Sequence, residues 1–133
     1  MVGSSDGIHN LHEWKALLKD ALQWTQQNVA DRGRAKVITI FGHASPSTDH
    51  QIYFDGLSNL AKETEILFLY MHGDTHRWKK DRPFDANNII RVVVDQGGVA
   101  DPVKVVIDLN RKRPDISFER RSLSNQYLRR GEK

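Results

Sequence analysis

The chain has 133 residues, 38% of them hydrophobic and 28% charged, which suits one globular domain with a real core and excludes a disordered chain. With no cysteine there is no disulfide framework, so any metal must be held by His, Asp, Glu or Asn. No apolar run approaches the ~20 residues needed to span a bilayer, and residues 1–7 lack the basic and apolar regions of a signal peptide.

The first element expected is a helix. Asn10 is placed to cap it, with Glu13 three residues on. Leu11, Trp14, Leu17, Leu18, Ala21, Leu22, Thr25 and Val29 then recur at helical spacing and form one apolar face, and Gly33 supplies a stop. Trp14 and Trp24 read as core and boundary packing. A short β-branched run, Val37-Ile38-Thr39-Ile40-Phe41, follows and ends in Gly42-His43-Ala44-Ser45-Pro46. A second helix is expected over 49–64, capped by Thr48 or Asp49, with Ile52, Tyr53, Leu57, Leu60 and Ala61 as its inner stripe. The apolar run 66–71 comes next and breaks into His72-Gly73-Asp74-Thr75-His76.

A strand, a helix and a strand of these lengths imply a right-handed crossover joining two parallel strands. Parallel neighbours end on one edge, so Gly42-His43 and the residues 72–76 should converge at a carboxyl rim, where open α/β sheets place ligands. If the backbone stays extended past the strand, His72, Asp74 and His76 alternate onto one face and present three metal-ligand side chains. Residues 77–88 read as a polar loop. Ile90, Val92 and Val94 alternate with Arg91 and Asp95 as a half-buried strand, and Val103, Val105 and Ile107 as its antiparallel partner across Gln96-Gly97-Gly98. Ile116 and Phe118 mark a third candidate strand over 115–120.

The net charge of +3 is distributed unevenly: Arg111, Lys112, Arg113, Arg120, Arg121, Arg129, Arg130 and Lys133 crowd the last part, against Asp115, Glu119 and Glu132. Charge runs of this kind usually form a solvated end. With Phe118 and Tyr127 as its aromatics, the segment is a poor stacking platform, which argues against nucleic acid as a partner.

Taken together, Phe41-Gly42-His43-Ala44 and Gly73-Asp74-Thr75-His76 resemble the two late metal-ligand motifs of the calcineurin-like metallophosphoesterases, Gly-His and Gly-His-x-His, each at the end of a parallel strand. The order of helix, strand, helix, strand and antiparallel strands is also similar, and the resemblance runs from about residue 2 to 108. It implies a partial α/β/β/α sandwich, a parallel β-α-β unit followed by antiparallel strands. Residues 1–109 would form the C-terminal half of such a domain, and 110–133 a basic strand and tail.

The resemblance further implies a divalent two-metal site (Mn, Fe or Zn). His43 would bind one ion and His76 the other. Asp74 stands where the family has a His, and His72 is the nearby nitrogen able to substitute; Arg77 or Lys79 would meet substrate phosphate. The family's earlier motifs, Asp-x-His, Gly-Asp-x-x-Asp and Gly-Asn-His-Asp/Glu, do not occur ahead of His43. The expectation is therefore a phosphoesterase fragment, inactive or weakly active as this chain, acting on phosphoesters only if completed by an N-terminal half. The alternative is a non-catalytic interaction module that pairs through an uncovered sheet face with another chain, another copy or a missing half, assisted by the basic tail.

Overall fold

A computed structural model describes residues 11–31 and 35–120. Helix α1 spans Leu11–Asp31, and strand β1 spans Val37–Phe41. A 3-10 turn at Thr48–His50 leads into α2, Gln51–Lys62. Five strands follow: β2 (Leu67–His72), β3 (Lys79–Asp81), β4 (Ile89–Val93), β5 (Val103–Asp108) and β6 (Asp115–Arg120). The fold is mixed α/β. Strands β1, β2 and β4 run parallel, β3 pairs antiparallel with β4 in the sheet order β1-β2-β4-β3, and β5 and β6 form a separate antiparallel ribbon. Among the described residues no helix is long and apolar enough to cross a membrane.

The expected parallel pairing of β1 and β2 across α2 holds, with Val37 beside Leu67 and Phe41 beside Met71. The two faces of β2 then divide the core. Phe68 and Tyr70 pack toward α1 and α2 with Trp14, Phe54, Leu57 and Ile89, whereas Leu69 and Met71 pack with Ile90, Val92 and Ile116 beneath the ribbon. The second sheet face, expected to be bare, is thus partly covered by β5 and β6. Trp78 and Phe118 meet edge to face, and Arg120 lies over Trp78 and bonds Asp95, which fastens the ribbon to the β3–β4 side.

The expected hairpin between 90–94 and 103–107 does not form. Strand β4 is buried on both faces (Ile89, Ile90, Val92 and Val93), a pattern that demands a central position, and it lies between β2 and β3. Arg91, read as outward, lies on the helix side next to Tyr70 in the ladder and turns to Asp81 of β3. The partner of β5 is β6, so the antiparallel pairing joins residues on either side of position 109. The loop expected over 77–88 contains β3. Asn88 closes it by donating from one amide to the carbonyls of Ala61, Thr64 and Ile66, which anchors the end of α2.

The helices follow their patterns with shifts. Trp14, Leu18, Thr25 and Val29 of α1 are buried, but Leu17 and Trp24 are 62% and 65% exposed. These two lie a heptad apart on one flank of the helix, which makes its closest packing against α2, where the Leu22 methyls occupy the space a Cβ on Gly56 would need. In α2, Phe54 is buried instead of Ile52, because it lies three and seven positions before Leu57 and Ala61 on the same helix face. The helix begins at Gln51 after a 3-10 turn in which the Ser47 hydroxyl lies 2.7 Å from His50 Nδ1. The caps assigned to Asn10 and Gly33 lie outside the described residues.

The Arg91–Asp81 pair is partly buried and bidentate, with Arg91 Nε donating to Asp81 Oδ1 at 2.7 Å and Nη2 to Oδ2. The hydrogen bonds from Arg91, then those from Lys79, hold the Asp81 carboxyl below the usual carboxylate range. A depressed folded pKa contributes stability that is present above the unfolded value near 3.9 and is lost as pH falls through the folded one. Asp81→Asn is expected to cost about 1–3 kcal/mol at neutral pH and to flatten the loss of stability below about pH 5. Urea titrations across that range check it; an unchanged acid limb would show that the pair contributes nothing.

Candidate functional site

The carboxyl ends of β1 and β2 meet as the parallel pairing requires. Gly42 N–H donates to Met71 O at 2.9 Å, continuing the ladder one residue past β1, and Val94 N–H donates to His72 O at 2.9 Å on the other side. The two following loops are tied as well: Ser45 N–H donates to Asp74 Oδ2 at 3.0 Å. The buried Tyr70 hydroxyl donates to Ala44 O at 2.6 Å from below. Gly42-His43-Ala44-Ser45 and His72-Gly73-Asp74 therefore form one ledge.

The ledge differs from the expected row of ligands. The backbone does not stay extended beyond His72. Asp74 and His76 adopt φ of 47° and 53°, and His76 N–H closes a turn onto Gly73 O at 3.3 Å. Residues in the left-handed region break the two-residue alternation, so His72, Asp74 and His76 do not line up on one face. His72 belongs to the strand and is buried at 2% exposure, its ring stacked on Tyr70 at 5.3 Å. His43, Asp74 and His76 are exposed.

Electrostatics link His43, His72 and Asp74. Burial, then Arg91, pushes the His72 imidazole below its ordinary pKa, while Asp74 and Asp81 pull it back. The hydrogen bonds from Ser45 hold the Asp74 carboxyl low, with smaller help from His43 and His72. At neutral pH Asp74 is an anion and His72 a neutral ring. Among the described residues, neither ring nitrogen of His72 has a hydrogen-bond partner.

These residues do not fit a two-metal cage. Among the described residues no three His, Asp or Glu side chains are grouped so as to hold a metal ion. One oxygen of Asp74 is already engaged by Ser45, and two bridged cations need several carboxylate oxygens between them. Arg77 is exposed beside the rim, and Lys79 is 3.0 Å from Asp81, inside the Arg91 network. Of the basic segment, Arg111 lies 3.5 Å from Asp108 and 3.7 Å from Asp115; residues 121–133 lie outside the described residues.

Next to the rim, an open groove of about 630 Å³ runs between α2 and residues 83–85, lined among others by Ser47, Phe54, Ser58, Lys62 and Phe84. No rim histidine lines it. Sequence reading missed Ser45, Tyr70 and Arg91. The alternation of Phe68, Tyr70 and His72 was the signal that Tyr70 and His72 share the helix-side face. No family model, curated protein or solved structure matches this chain at a significant level.

Proposed function

We propose that the chain is the C-terminal, imidazole-bearing portion of a metallophosphoesterase-type α/β/β/α domain, with little or no turnover of its own. The observation that supports this most is the ledge itself. Two adjacent parallel strands deliver Gly42-His43 and Gly73-Asp74-Thr75-His76 to one sheet edge, cross-linked by the Ser45–Asp74 bond. Folds of this class place their ligands at that edge, and a mixed sheet with helices on one face and an antiparallel ribbon on the other is compatible with part of such a sandwich. His43, Asp74 and His76 are not gathered into one ligand set among the described residues; each would be offered to a divalent ion singly, and a complete domain would supply the remaining oxygen donors for phosphoester hydrolysis.

The test is to titrate the chain with Mn²⁺ by electron paramagnetic resonance and then assay an aryl phosphate ester with added Mn²⁺ or Zn²⁺. The expected result is weak Mn²⁺ binding that His43→Ala and His76→Ala both diminish, with hydrolysis at the buffer rate. Binding indifferent to both substitutions would remove the rim from the proposal. Robust hydrolysis abolished by chelation and by His76→Ala would overturn the inactive half.

A further inference from the structure

We infer that β1 is a homodimerisation edge, on which a second copy of the chain adds its own β1 antiparallel about Thr39. The inference stands apart from the hydrolase reading and rests on backbone direction. Strand β1 is terminal in the sheet order, with β2 on one side and, among the described residues, no strand paired on the other. Leu67 N–H donates to Lys36 O at 3.0 Å and Gly42 N–H to Met71 O at 2.9 Å, so the even-numbered residues bond β2. A strand directs successive residues to opposite neighbours. Val37, Thr39 and Phe41 therefore turn their N–H and C=O groups to the open side.

That set is self-complementary. Under a twofold axis through Thr39, Val37 faces the partner's Phe41, Thr39 faces the partner's Thr39, and Phe41 faces the partner's Val37. Each of these is a hydrogen-bonded pair in antiparallel geometry, and each is a favoured cross-strand type, aromatic on β-branched or Thr on Thr. Closed twofold contacts of this isologous kind are the commonest in homo-oligomers.

The side chains agree. Val37 packs against the Leu69–Met71–Ile116 cluster, whereas Phe41 is 65% exposed on the same face. Ile107 and Leu109 at the near end of the ribbon are 38% and 49% exposed, and Lys36 Nζ donates to Leu109 O at 3.1 Å, which brings that end to β1. A second β1 would cover Phe41. The edge also lacks the usual guards: Val37–Phe41 contains no charge and no proline. The one flanking cation, Lys36, would face the partner's Gly42, so the two lysines sit at opposite ends of the joint.

Sedimentation of the whole chain over roughly 5–500 µM tests this, since 1.4 kcal/mol is tenfold in the constant. The wild type is expected to pass from monomer to dimer within that range. Thr39→Pro is the selective variant: it removes an outward N–H and leaves the β1–β2 bonds, made by Ile38 and Ile40, in place. It should weaken the dimer at least tenfold with circular dichroism unchanged. Phe41→Lys should do the same if the proline variant misfolds. A chain monomeric throughout the range, or a dimer indifferent to both substitutions, overturns the proposal. So does a wild-type monomer that binds only a different protein through this edge.

Discussion

Gly42→Ala is expected to lower the unfolding free energy by about 3 kcal/mol or more, through overpacking together with one lost buried hydrogen bond. Nothing in the backbone angle of Gly42 demands glycine; the space does. A Cβ there would meet Tyr70 Oη, and would lie 2.8 and 2.9 Å from Cε2 and Cζ of the same ring. The Tyr70 ring cannot retreat easily, because it is fully buried and packs against Phe54, His72 and Phe84. If it does move, its hydroxyl leaves Ala44 O, itself on a buried residue, without a donor. The damage would reach the rim, since Ala44 and Ser45 hang from that bond and Ser45 positions Asp74. Urea denaturation with Tyr70 ring resonances as a second probe reads both effects. A near-wild-type midpoint with an unmoved ring would show that Gly42 is not held by Tyr70.

His72→Leu has the opposite sign. Both ring nitrogens are buried without a partner among the described residues, and an apolar side chain of similar volume escapes that desolvation cost. A gain of about 1–2 kcal/mol at pH 7 is expected, after allowing for the lost stacking on Tyr70. The pH dependence carries the sharper signature. Burial and Arg91 hold the folded pKa below the unfolded value near 6.5. Below about pH 6.5 the unfolded chain therefore takes up a proton that the folded one resists. This contribution is fully present above the unfolded pKa and is lost as pH falls toward the folded one. His72→Leu should abolish that segment of the profile and leave the lower one, which belongs to Asp81, intact. Urea midpoints at pH 5, 6, 7 and 8 measure it. A destabilised His72→Leu, or an unaltered slope, would mean that the imidazole has a partner worth more than its burial costs.

Both expectations concern residues that the rim motifs brought to notice for another reason. Gly42 stood out as the glycine of a Gly-His pair, yet its place is dictated by a tyrosine hydroxyl crossing its Cα. His72 stood out as a spare ligand, and it is the last inward-facing residue of β2. The row of three ligands failed because Asp74 and His76 both enter the left-handed region. A single non-glycine residue at positive φ is uncommon, and two in three positions follow from a turn that residue types alone do not announce.

From the sequence alone came whatever is periodic or local. The apolar recurrence in α1 and α2, the β-branched runs of β1 and β2, and the length of the segment between them were enough to require a parallel crossover and a shared rim. Partner choice among the later strands was decided only by the tertiary structure. Ile90, Val92 and Val94 alternate with Arg91 as they would in a half-solvated strand, but Asp81 from another strand neutralises Arg91, and this lets β4 sit at the centre of the sheet. Once β4 is claimed by β2 and β3, β5 has β6 as its partner, and the same ordering leaves β1 at the border. A charge reads as outward until its counter-charge is located, and that location is long-range information.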